Sequence, residues 1–122
     1  MESNDCILCL EECMNDPKPV AGHTDEGKVA LQYVLAMEGL DSVSRVGEFG
    51  AKKYDQWNYK KGMPWMKLAG SLSRHLASFI RGEDLDKESG LPHLAHLCYD
   101  ALMLLDYSIH HKEMDDRYHE NH

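Results

Sequence analysis

Apolar residues recur at helical spacing along most of this chain, and the breaks between those runs fall at glycine, proline and short polar clusters. Val29, Tyr33, Val34 and Met37 predict a helix from about Lys28 to Glu38, which Gly39 ends. Val43, Val46 and Phe49 predict a second, capped by Asp41 or Ser42 and reaching about Tyr54. The run Trp57-Asn58-Tyr59-Lys60-Lys61-Gly62 reads as a loop. Pro64 suits the first turn of a third helix, where its missing amide hydrogen costs nothing, and Gly82 stops that helix after Arg81. Leu68, Leu72, Leu76, Phe79 and Ile80 form its apolar stripe. A fourth helix opens with Ser89 as cap and Pro92 in its first turn and continues to about His111. Leu94, Leu97, Ala101, Leu104 and Leu105 cover much of its circumference, which predicts burial on most sides. The expectation is an all-α fold, a compact bundle of about four helices.

With 122 residues and 43% hydrophobic content, the chain is long enough for one core and too short for two ordinary domains. The expected organisation is an N-terminal arm or short helix over 1–27, one helical domain over 28–111 and an acidic, fraying tail over 112–122. No apolar run reaches the roughly 18 residues that would span a bilayer, and no secretory leader is recognisable. Cytoplasmic location with reduced cysteines follows as the expectation. Cys6, Cys9 and Cys13 are spaced to share one helical side, where they could hold zinc with His23 as fourth ligand or serve as small buried thiols.

Charge changes the picture. The formal net charge is −8, yet Arg45 to Gly82 holds eight basic residues against Glu48 and Asp55, leaving that segment at +6 and the remainder at −14. A basic middle within an acidic protein suits a small polyanion such as a nucleoside triphosphate and disfavours long nucleic acid. A solvated lysine-rich helix face is the plainer alternative.

Two segments then stand out chemically. The loop from Gly82 to Gly90 packs Glu83, Asp84, Asp86 and Glu88 close together, a repulsive arrangement unless cations compensate. It is not a calcium-binding loop: counted from Asp84, the sixth position is Ser89 rather than glycine and the twelfth is Ala95, which cannot coordinate. In the fourth helix, His93, His96 and Asp100 lie within about 60° of one another around the axis, forming one stripe. Two imidazoles and a carboxylate on a buried helix are costly unless they bind something, and that donor set suits zinc, manganese or iron. His75 points inward beside the leucine stripe, as a ligand, a proton acceptor or a satisfied core residue.

Gly50-Ala51-Lys52-Lys53-Tyr54, Trp57-Asn58, Lys61-Gly62, Arg74-His75, Gly82-Glu83-Asp84-Leu85-Asp86 and Glu88-Ser89-Gly90-Leu91-Pro92-His93-Leu94-Ala95-His96 follow one another in order. With these the chain, from roughly Arg45 to Asp106, resembles the phage-encoded dATP/dGTP diphosphohydrolase family, related to the MazG-like nucleotide pyrophosphohydrolases. The resemblance implies a helical homo-oligomer that cleaves a purine deoxynucleoside triphosphate to monophosphate and pyrophosphate with divalent metal, in the host cytoplasm if phage-encoded. MazG-like enzymes present paired acids on two helices; the helices predicted here carry neither pair, and histidines with loop acids stand in their place. The expected site has Glu48 and His75 as proton acceptors, and Lys53, Lys60, Lys61 and Arg74 on the phosphates. Tyr54 and Trp57 (with Tyr59 beside them) serve as a surface for the base or as core aromatics. Glu83, Asp86, His93, His96 and Asp100 hold magnesium or manganese. A nucleotide sponge without catalysis is the alternative function.

Overall fold

The computed structural model describes residues 27–120, so Cys6, Cys9, Cys13 and His23 lie outside the described residues. Residues 1–31 and 32–122 form two separate units. Of the first, Gly27 to Leu31 are described: exposed, irregular backbone in which the Leu31 amide bonds the Val29 carbonyl at 3.2 Å. Everything below concerns the second unit.

Among the described residues the fold is all-α: α1 Gln32–Leu35, α2 Leu40–Lys53, α3 Trp65–Ile80 and α4 His93–His110, with 3-10 turns at Asn58–Lys61 and Lys112–Met114. Helix α4 packs against both α3 and α2. The helix expected over 28–38 shrinks to the single turn of α1, and Tyr33, Val34 and Met37 stay exposed. A short helix that buries no apolar face gains too little to offset the cost of its nucleus.

The other helices follow the apolar spacing. In α2, Val46 is buried while Val43 and Phe49 are half-buried, and Asp41 in the first turn with Lys52 and Lys53 in the last complement the helix dipole. In α3, Trp65 and Leu68 are buried, but the stripe leaves the core towards the C-terminus: Leu76 and Phe79 are largely exposed and Ile80 is 72% exposed. Helix α3 ends as its sequence dictates. Gly82, at φ +94°, gives its amide to the Phe79 carbonyl at 3.0 Å, and Glu83 gives its amide to Ser78 at 3.0 Å. This pair of bonds satisfies carbonyls that a helix end otherwise leaves open, and glycine takes the left-handed position without strain.

Helix α4 departs from expectation. Pro92, not Ser89, precedes its first turn, and its buried residues are His93, Ala95, His96, Asp100 and Tyr107. Leu94, Leu102, Leu105 and Ile109 face outward, between 45% and 62% exposed. The helix is therefore buried along its polar stripe and open along its leucine face, the reverse of the burial on most sides that leucine count alone predicts.

The apolar core lies at the far end of this bundle, where Trp65, Leu68 and Tyr107 pack with Met63, Met103, Leu104 and Met114. The segment after α4, expected to fray, is tied into that end. Trp65 Nε1 donates to the His111 carbonyl at 3.1 Å, the Met66 amide donates to Asp116 at 2.9 Å, and the Arg117 guanidinium lies 5.0 Å from the Trp65 ring centre. An acidic side chain at the first turn of α3 answers an amide that has no partner within the helix.

Candidate active site

The site is built where α3, α4 and the acidic loop meet. Leu85 and Pro92 form an isolated antiparallel bridge, reinforced by bonds from the Asp86 amide to Leu91 (2.8 Å), Gly90 to Asp86 (2.8 Å) and His93 to Asp84 (2.9 Å). The loop is thereby folded back on itself, and its acids are fixed beside the start of α4. Asp86 Oδ2 accepts the amides of Glu88 (3.1 Å) and Ser89 (2.9 Å). Burial alone would raise the Asp86 carboxyl, but hydrogen bonds from Ser89, together with the fields of His96 and His75, outweigh it and hold the group below the ordinary carboxylate value.

Three histidines cluster above it. His75 Nδ1 lies 2.9 Å from His93 Nδ1, and the His75 and His96 rings stack at 4.6 Å with 10° between planes. His96 Nε2 is 2.6 Å from Ser89 Oγ and 3.9 Å from Asp86, and Phe49 meets the His96 ring edge-on. Burial, then the proximity of His75, lower the His96 pKa, with Asp86 opposing. The ring is therefore biased to neutral, the form that can present a lone pair. His93 is 5% exposed, and its Nε2 has no hydrogen-bond partner; Glu83 is 3.7 Å away, inside ion-pair range yet too long for a hydrogen bond. Single ligand atoms of His75, Asp86 and His93 all fall within 4.8 Å of one another, a grouping that can hold a metal ion.

Asp100, 7% exposed, accepts a bond from Ser71 Oγ at 2.9 Å. Its pKa is raised, by burial first, with Ser71, His75 and Arg74 offsetting part of the effect. A cavity of about 730 Å³ opens beside these groups. Of the expected site residues, Glu48, Lys53, Tyr54, Trp57, His75, Asp86, His96 and Asp100 line it. Lys60, Lys61, Arg74, Glu83 and His93 do not. Lys53 reaches across to Glu88 with bonds of 3.0 and 3.1 Å, and that hydrogen bond raises its pKa. Lys60 Nζ sits 5.3 Å from the Trp57 ring centre, while Lys61 and Arg74 are exposed. Trp57 adopts φ +65°, a left-handed backbone rare for a bulky residue, with its indole 59% exposed at the cavity.

Three participants escape a reading of the chain alone. Ser89 looks like a helix cap but orients His96 across a turn, where no helical spacing announces the pair. Phe49 reads as core. Ser71 had a usable signal, since it precedes His75 by four residues on one helix and so shares its face.

Comparison with known proteins adds a family to this geometry. Residues 19–117 match the family described as dATP/dGTP diphosphohydrolase, N-terminal. A dATP/dGTP diphosphohydrolase of Salmonella phage PMBT28 is 28% identical over 92 residues, covering 75% of this chain and 31% of the relative. The chain thus spans about a third of that relative's length. No solved structure matches it.

Proposed function

The chain belongs to the dATP/dGTP diphosphohydrolase N-terminal family, and from that premise we propose that its cavity binds a purine deoxynucleoside triphosphate and hydrolyses it between the α and β phosphates. The observation that carries this reading is the lining of one cavity, which combines Trp57 and Tyr54, Lys53, and His75, His96, Asp86 and Asp100. Trp57 and Tyr54 offer exposed faces on which a base stacks. Lys53, now paired with Glu88, would exchange that partner for phosphate oxygens, and Lys60, Lys61 and Arg74 add positive field from outside the lining. Glu48 and His75 both line the cavity, so either can accept the proton of the attacking water. The water oxygen bonds to the α phosphorus, the bridging oxygen leaves with pyrophosphate, and the monophosphate remains.

The donor set fits a divalent ion. One ligand atom each of His75, Asp86 and His93 lies within 4.8 Å of the others, and Glu83 stands 3.7 Å from the buried His93 Nε2, which has no hydrogen-bond partner. Asp86 and His93, within reach of His75, His96 and Glu83, would hold a divalent ion. Such an ion supplies charge neutralisation on phosphate oxygens and acidifies a bound water.

The test is direct. Pure protein incubated with each deoxynucleoside triphosphate and Mg²⁺ or Mn²⁺ should release pyrophosphate and a purine monophosphate, resolved by chromatography; intact nucleotide throughout defeats hydrolysis. The second reading, a nucleotide-binding module without chemistry, is favoured by one observation: the principal helices carry neither of the paired acids that MazG-like enzymes present on theirs. Stoichiometric binding with full recovery of ligand selects it. We also propose self-association, a cytoplasmic setting and no engagement of long nucleic acid. Among the described residues no helix is long and apolar enough to cross a membrane.

A further inference from the structure

We infer that His75, His93 and Asp86 form a centre selective for a first-row transition ion over magnesium, with His75 acting as a ligand rather than as the proton acceptor. The inference deepens the proposed function by naming the metal class and the role of His75, but it is read without nucleotide and stands or falls separately.

Three observations converge. One ligand atom from each of the three residues lies within 4.8 Å of the other two, close enough to meet on one ion. The Nδ1 atoms of His75 and His93 face each other at 2.9 Å. Two imidazole nitrogens at that distance share one proton, and a cation that accepts both lone pairs replaces it. His93 is also 95% buried with Nε2 lacking any hydrogen bond, while Glu83 stands 3.7 Å from it. A carboxylate behind a ligating imidazole is the usual outer partner that sets the ring's orientation, and a small adjustment of the Glu83 side chain would complete that bond.

The chemistry of the donors decides the ion. Two imidazoles and one carboxylate suit zinc, iron, cobalt, nickel or manganese, whereas magnesium demands oxygen ligands and sheds its waters reluctantly. Asp86 is already fixed by the Glu88 and Ser89 amides, so its charge is in place before any ion arrives. Asp100 is set apart, since Ser71 holds it and it falls outside the group whose ligand atoms meet. Assigning His75 to the ion leaves Glu48 as the proton acceptor at the cavity wall.

The full chain, stripped with chelator and titrated with Co²⁺ in the absence of nucleotide, should develop visible d–d absorption saturating at one ion per chain. Zn²⁺ should displace it, and a hundredfold excess of Mg²⁺ should not. His75→Asn and Asp86→Asn should each weaken Co²⁺ binding by at least about 100-fold, beyond what loss of an outer partner gives. His111→Ala, at the opposite end, should bind as the parent does. Circular dichroism and calorimetry identify any variant that fails to fold; for that case the Mg²⁺ and Zn²⁺ competition on the parent protein decides alone. Featureless spectra, displacement by Mg²⁺, or a folded His75→Asn variant with parental affinity overturns the inference. Nucleotide hydrolysis with Mg²⁺ but no Co²⁺ signal would sink the centre and spare the proposed function; a Co²⁺ signal without hydrolysis does the reverse.

Discussion

The two ends of α4 bury different things. At its start the inward side chains are His93, His96 and Asp100; about two turns after Asp100 the inward side chain is Tyr107, with no exposure at all. At the Tyr107 end the named polar atoms are answered within the protein: its hydroxyl donates to the Tyr59 carbonyl at 2.5 Å, Trp65 donates to the His111 carbonyl, and His111 sits between the Lys60 carbonyl and Glu113. At the histidine end, His93 Nε2 has no hydrogen bond, and two ring nitrogens compete for one proton. Complete satisfaction marks the end that holds the fold together. Incomplete satisfaction marks the end at which we propose a ligand.

Substitutions should separate the ends. Tyr107→Ala removes the one large side chain fully buried among the described residues and should cost about 3–5 kcal/mol in urea denaturation. A loss below about 1 kcal/mol would show that the core lies elsewhere. Gly62→Ala attacks the same end through the backbone. Gly62 has φ +83°, and a Cβ there would stand 2.9 Å from the His111 ring, so a loss of about 2–3 kcal/mol is expected in the same assay.

At the cavity, Trp57→Gly should relieve left-handed strain and leave the melting temperature unchanged or higher, yet weaken binding of a non-hydrolysable deoxynucleotide by about 1–3 kcal/mol, the worth of one stacked base. Calorimetry giving parental affinity would remove Trp57 from the site. His93→Leu, in chelator, exchanges an unsatisfied imidazole for an apolar side chain and should shift stability by less than about 1 kcal/mol, in sharp contrast with Tyr107→Ala. A loss as large as that of Tyr107→Ala would erase the distinction between the ends.

The smallest effect is pH-dependent. The hydrogen bond that His111 donates to Glu113, then the one to the Lys60 carbonyl, raise it above its ordinary value of 6.5. A raised histidine contributes its stability fully below the unfolded value and loses it as pH climbs through the folded one. The gap in melting temperature between the parent and His111→Ala should therefore narrow above pH 6.5. A gap that widens with pH would mean that the imidazole is held neutral.

Much of this architecture was legible along the chain. The boundaries of α3 follow from Pro64 and Gly82, because termination is local chemistry that acts within one turn, whereas α2 begins at Leu40 behind Gly39 and Asp41, expected as its cap, lies inside its first turn. That His93, His96 and Asp100 share a stripe also follows, since helical period alone puts them there. The direction of that stripe does not. Periodicity says which residues lie together on a helix but not which face the neighbours cover, and α4 turned its polar side inward and left Leu94, Leu102 and Leu105 outside. Similarly, the acidic tail looked free because charge is a local property; Asp116 and Arg117 are fixed by α3, fifty residues earlier in the chain.

The sequence by itself determined that this protein is helical, where its principal helices start and stop, and that imidazoles and carboxylates are concentrated in two neighbouring segments. Only the tertiary structure decided that His75 meets His93 and His96, that Ser89 orients a ring instead of capping a helix, and that Lys60, Lys61 and Arg74 stand outside the cavity. The reason is physical: caps and periods are set by bonds between near neighbours, while convergence depends on how whole helices pack, and that is settled by the sum of contacts across the core.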